Sequence, residues 1–208
     1  MEIEAKLIIP DAASARRLQQ IEKLDAFILD APHTLKMRDT FFDTRARALR
    51  AVKYVLRVRR RSDSKIFITL KTPAEKIGAV HRRPEIEIQT DFARTPKTLL
   101  RANLPARIYQ HIAPFAGDAA LHQLFSITQT RHLRAIKSKR RIIGEWSVDR
   151  VEFRAGARRQ IFYELEIELK KSGTEQELEE MIAALQKQIP LDAQPQSKFA
   201  RALEFMQK

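Results

Sequence analysis

The chain has no cysteine, which excludes disulfides and thiolate metal centres. It has only 5 glycines, and neither common glycine-rich phosphate loop occurs. Any bound phosphate must therefore be held mainly by cationic side chains. No apolar run is long enough to cross a bilayer as a helix. The charged opening Glu2-Ile3-Glu4-Ala5-Lys6 lacks the pattern of an export signal. A cytoplasmic protein with no membrane partner is the expectation. No aromatic stacking platform is evident on the basic stretches, so nucleic acid is not an expected partner either.

What the chain does have is charge. It carries 39 Lys+Arg against 26 Asp+Glu, a formal net charge of +13 over 208 residues. Such a surplus favours polyanions. A hydrophobic content of 44% is enough for one sizeable core. The expected organisation is one domain over residues 1–208, with a helical insertion at 92–124 where Pro96, Pro105 and Pro114 separate short helical runs.

Alternating patterns mark eight strands, at 2–9, 35–43, 53–61, 65–71, 83–89, 126–136, 141–152 and 160–169. Asp11 can cap a helix running to about Leu24. Thr174 and Glu177 form a capping box ahead of a helix with Leu178, Met181, Ile182, Leu185 and Ile189 on one stripe. A short helix starts at Ser197. Mostly sequential, hairpin-linked strands imply an antiparallel sheet, and eight strands can close into a barrel. The expected fold is α+β: an eight-stranded antiparallel β-barrel, or tunnel, with a polar interior and flanking helices.

The polar residues of these strands share one parity. Glu2, Glu4 and Lys6 lie on one face of the first strand, with Ile3, Ala5 and Leu7 on the other. Arg57, Arg59 and Arg61 oppose Leu56 and Val58. Arg83, Glu85, Glu87 and Gln89 oppose Ile86 and Ile88. Glu145, Ser147 and Asp149 oppose Trp146 and Val148. Glu164, Glu166 and Glu168 oppose Leu165, Ile167 and Leu169. A sheet with one wet face produces the same alternation. Two features favour an inward polar face instead. Signs are segregated by strand, and like charges at nearby positions on one face repel. The apolar stripe of the 174–189 helix also needs an apolar sheet face to cover. A charged interior then calls for ligands of both signs. Carboxylates suit magnesium or manganese, and arginine forks with lysine ammoniums suit phosphates. The pattern points to a metal–polyphosphate complex.

These residues resemble the CYTH superfamily, the triphosphate tunnel metalloenzymes. Glu2-x-Glu4-x-Lys6 is similar to the family's N-terminal signature. Thr40-Phe41-Phe42-Asp43-Thr44, Leu56-Arg57-Val58-Arg59, Leu70-Lys71, the run from Gly78 through His81 and Arg83 to Glu85, Arg131, Asp149, Glu164 to Glu168 and Ser197-Lys198 follow in the family's order. The spacing resembles that of bacterial inorganic triphosphatases. The resemblance implies a tunnel that hydrolyses a small-molecule triphosphate with Mg2+ or Mn2+, in a monomer or homodimer. It implies metal ligands at Glu2, Glu4, Glu166 and Glu168, and phosphate-gripping cations at Lys6, Arg57, Arg59, Lys71, Arg83, Arg131 and Lys198. Glu85, Glu87 and Asp149 would orient cations, metal or water. A class IV-type adenylate cyclase and a non-catalytic polyphosphate- or nucleotide-binding module are the alternatives. The family's early aromatic segment sometimes holds a tyrosine proposed as a base; here both aromatics are phenylalanine, and that role does not carry over.

Overall fold

The computed structural model describes residues 1–207. Its strands are β1 (Glu2–Ile9), β2 (Lys23–Leu24), β3 (Phe27–Leu29), β4 (His33–Asp43), β5 (Val55–Arg61), β6 (Ile66–Lys71), β7 (Glu75–Ile77), β8 (Val80–Arg83), β9 (Glu85–Thr90), β10 (Thr98–Leu99), β11 (Leu121–Ser138), β12 (Arg141–Ala155) and β13 (Arg158–Leu169). The helices are α1 (Ala12–Gln20), α2 (Ala48–Ala51), α3 (Ala106–Ala116), α4 (Glu175–Gln188) and α5 (Lys198–Gln207).

All thirteen strands belong to one antiparallel sheet, whose main path is β7-β8-β1-β13-β12-β11-β4-β5-β6-β9. The α+β class, the antiparallel sheet and the flanking helices match the sequence reading. The closed eight-stranded barrel does not: there are more than eight strands, and the ladder ends at β7 and β9 without closing. The stretch 80–90 explains part of this. Pro84 has no N–H to donate and interrupts strand pairing. Before it, β8 pairs with β1, Arg83 facing Glu2; after it, β9 pairs with β6, Glu85 facing Lys71. The two flanks of the sheet are therefore joined by one covalent chain, not by a ladder.

The additional strands β2, β3, β7 and β10 are two or three residues long, too short to show alternation. The first helix also stops at Gln20, short of the expected Leu24. Lys23–Leu24 instead pairs with Phe27–Ile28 across a turn in which Asp25 takes a φ of 47°, a conformation aspartate accepts more readily than most residues.

Helices cover the apolar parity. Leu18 of α1 and Leu178, Met181 and Leu185 of α4 pack with Ala5, Leu7, Trp146, Val148, Leu165 and Ile167. Leu49 of α2 and Ile108 and Ile112 of α3 pack with Leu56, Val58, Ile68 and Leu70. The charged parity thereby faces away from both helical layers. A third cluster seats α5: Phe199 lies 5.1 Å from Phe41 and 5.6 Å from Phe125, ring to ring. Thr174 and Glu177 form the expected reciprocal cap on α4.

Burial and capping make different demands on α4. Leu185→Ala is expected to cost about 2–5 kcal/mol through lost burial and a cavity. Thr174→Ala is expected to cost about 1 kcal/mol through a lost cap. Urea unfolding of both variants checks the order; equal losses would refute it.

Candidate active site

The inward parity lines a cavity of about 580 Å³. β1 contributes Glu2, Glu4 and Lys6; β5 contributes Arg57, Arg59 and Arg61; β6 contributes Lys71. Arg83, Glu85 and Glu87 come from the chain on either side of Pro84, Arg131 from β11, Glu166 and Glu168 from β13, and Lys198 from the start of α5. Among the described residues the lining sets eight carboxylates against nine cationic side chains. Asp149 stands just behind it, fully buried. The structure thus brings together every site residue read from the sequence.

Ion pairs organise the cavity in three groups. In the first, Lys71 Nζ lies 2.9 Å from Glu2 and 2.6 Å from Glu85, and Arg83 donates to Glu2 at 3.0 Å and to Glu4 at 3.2 Å. In the second, Glu166 receives Lys6 at 2.7 Å, Lys198 at 2.6 Å and Arg131. Lys6 also reaches Glu4 at 2.9 Å, and Lys198 reaches Asp149 at 2.8 Å and Glu164 at 2.7 Å. In the third, Arg59 donates through Nε and Nη2 to Asp39 at 2.7 and 2.8 Å. Arg57 bridges Asp39 and Glu87, both at 3.4 Å.

Asp39 is absent from the sequence reading, yet it is nearly inaccessible and accepts from Arg57, Arg59 and Gln129. Its parity otherwise carries Leu35, Met37 and Phe41, so the alternation gives no hint of a polar role. The available signal is register: Asp39 directly faces Arg59. Glu164, also outside the expected set, is fully buried beside Lys198, with Arg201 Nη1 3.6 Å away.

Burial and partners set the proton affinities. Burial works against the charged form of Lys6, but Glu166 and Glu4 outweigh it and hold the ammonium well above its ordinary range. Burial would raise Asp39, yet the Arg59 and Arg57 guanidiniums keep it far below the usual carboxylate range. Glu166 is likewise held low against burial by Lys198, Lys6 and Arg131. Glu164 is pushed up by burial, with the charge of Glu166 adding to the effect against Lys198.

Glu168 stands apart. Among the described residues it forms no ion pair, and its carboxyl is pushed up to about 7 by burial, reinforced by Glu2, Glu145 and Glu4 and opposed by Lys170. No three acidic or histidine side chains converge as a ready metal cage among the described residues. The donor chemistry still fits a divalent cation: the donors are hard oxygens, and Glu168 is crowded by carboxylates whose repulsion such an ion relieves.

The family follows from matching the whole sequence. A model of the CYTH domain matches residues 1–203, and the chain belongs to that family. No curated protein matches it. Among solved structures, the chain is similar to HpAC1 from Hippeastrum, a candidate adenylyl cyclase reported to have a dominant triphosphatase activity. The TM-score is 0.78 at 23% identity, covering 99% of this chain and 96% of that one. It is also similar to PH1819 from Pyrococcus horikoshii OT3, with a TM-score of 0.62, 16% identity and 99% of each chain covered. A candidate adenylate cyclase from Bacillus halodurans gives a TM-score of 0.62 at 16% identity over 97% of this chain and 96% of that one. At these identities the likeness is one of fold.

The raised Glu168 has a signed consequence for stability. The folded chain binds this proton more tightly than the unfolded chain does, so its favourable contribution is present below the ordinary value of 4.5 and is lost as pH rises through about 7. Glu168→Gln is expected to raise the melting temperature at pH 8 and to change it little near pH 5. Thermal melts across that range check this; a shift independent of pH would refute it.

Proposed function

We propose that this cavity hydrolyses a small-molecule triphosphate with the help of a divalent ion. The observation that carries the reading is the set of interleaved ion pairs: every phosphate-gripping cation already leans on a carboxylate. Phosphate oxygens can replace those carboxylates on Lys6, Lys71, Arg83 and Lys198. The carboxylates so released become donors for a cation, so anion and cation each favour the other's entry. The triphosphatase activity reported for the Hippeastrum protein agrees with this reading.

Two arginines are aimed in advance. Arg59 and Arg131 each commit Nε and Nη2 to a buried aspartate, Asp39 and Asp149 respectively. A bidentate grip fixes the plane of the guanidinium, leaving Nη1 for a phosphate oxygen at little further entropic cost. Asp39 and Asp149 are then positioning residues. Arg57 shares Asp39 with Arg59 and is held by Thr69 at 3.2 Å.

Glu2, Glu4 and Glu168 would hold Mg2+ or Mn2+, while Glu166, engaged by three cations, fixes Lys6, Arg131 and Lys198. When bound, the divalent ion adds positive charge at the terminal phosphoryl group and polarises it. Water adds to the terminal phosphorus and gives up a proton to solvent as the bond to the leaving diphosphate oxygen breaks. The lysines and arginines offset the charge developing on that oxygen. The substrate is inorganic tripolyphosphate, giving pyrophosphate and phosphate, or a nucleoside or thiamine triphosphate. Leu35, Met37, Phe67 and Leu133 add apolar surface to the lining, which suits a nucleobase; this keeps the cyclisation of ATP as a second reading.

A panel of tripolyphosphate, ATP and thiamine triphosphate with magnesium or manganese tests the reading. Phosphate release is expected, and cyclic AMP as the main product from ATP would favour the cyclase instead. Glu4→Gln should reduce phosphate release about a hundredfold or more while leaving the fold intact; full activity in this variant sinks the proposal. Asp39→Asn should raise KM more than it lowers kcat, because it loosens the grip on Arg59 without removing the cation. An unchanged KM would deny the positioning role.

A further inference from the structure

The cavity nearly balances its own charge, so the net +13 of the chain resides almost wholly outside it. Part of that surplus lies on the outer face of the sheet. There Lys36 and Arg38 of β4, Arg60 of β5, Thr128 and Thr130 of β11 and Arg150 of β12 surround a second cavity of about 400 Å³, lined by no helix. Arg38 directly faces Arg60 and Thr128; Thr130 directly faces Lys36 and Arg150. With strands about 4.8 Å apart, these four strands spread the cations over roughly 14 Å.

Most of this row is left without an anionic partner among the described residues. Arg150 has Glu152 at 3.3 Å, whereas Lys36, Arg38 and Arg60 are exposed and form no ion pair among the described residues. Like charges placed directly opposite each other on a sheet destabilise it, so the Arg38–Arg60 pair works against the fold unless an anion lies between them. The groove offers cations and hydroxyls. It has no aromatic side chain on which a base could stack, and its one apolar residue, Met37, is buried, leaving no anchor for a lipid surface. What fits is a narrow, unadorned chain of phosphates.

We propose that this outer groove binds inorganic polyphosphate longer than the triphosphate assigned to the cavity. The groove's cations lie on the opposite parity of the sheet from those of the cavity, although Met37 and Arg61 border both, so the groove stands whether or not the cavity hydrolyses.

Lys36→Thr/Arg38→Thr/Arg60→Thr removes the charges with a residue that strands favour. Binding of labelled long-chain polyphosphate, followed by anisotropy at several salt concentrations with EDTA present, is expected to weaken tenfold or more in this variant. Its dependence of log affinity on log salt should fall by about two to three. Tripolyphosphate hydrolysis should stay at the wild-type rate; its absence from both proteins would count against the cavity reading and leave the groove result intact. Arg38→Gln alone, expected to weaken binding severalfold, covers the case in which the triple variant does not fold. Unchanged long-chain affinity in the folded variants would overturn the proposal. So would tighter wild-type binding, at equal salt, to duplex RNA or to phosphatidylserine vesicles.

Discussion

Charges withdrawn from water must be met by other charges, and in this protein that requirement governs which strands can be neighbours across the cavity. Glu166 shows how widely the demand reaches. It is met by Lys6 from β1, Arg131 from β11 and Lys198 from α5, elements drawn from the two ends and the middle of the chain. Asp39 does the same for the two arginines of β5. Segregating signs by strand would repel if the strands lay flat and alone. Curved around a common space, acidic β1 and β13 confront basic β5 and β6, and the repulsion within each strand is exchanged for attraction between strands.

The apolar parity makes this arrangement possible. Because α1 and α4 cover one part of the sheet and α2 and α3 another, the strands beneath them bury hydrocarbon on their outer side. α5 joins the two systems: Phe199 enters the aromatic cluster, and the adjacent Lys198 reaches the carboxylates of β12 and β13. One helix start thus links packing to electrostatics, and the position of a charged group is fixed by an aromatic neighbour.

Much of this was legible in the sequence because it depends on period two and on residue type. The parity of Glu2, Glu4 and Lys6, of Arg57 and Arg59, and of Glu166 and Glu168 needs no knowledge of which strand lies beside which. Asp39 was not legible, since its face is otherwise apolar and its meaning comes from the facing Arg59. The role of Glu164 comes from the packing of α5, which no local pattern reports. The open ladder also escaped detection. Pro84 was visible inside the strand expected at 83–89, but a single proline does not say which partner the chain on each side of it will choose. Nor does composition say where a surplus of charge will sit: it suggested a basic site, while the site itself is almost neutral.

The division at Pro84 gives the wall a direction of weakness. Everywhere along the main path, neighbouring strands are stitched by main-chain hydrogen bonds that fix their spacing. Between β6 and β1, the link is a side chain reaching across, Lys71 to Glu2, while Glu2 is itself held by Arg83 within the β1–β8 ladder. Side-chain links of this kind change length by rotamer, whereas a ladder does not. The enclosure is therefore stiff around most of its circumference and compliant along one line, and that line carries some of the charged groups an incoming ligand would have to separate.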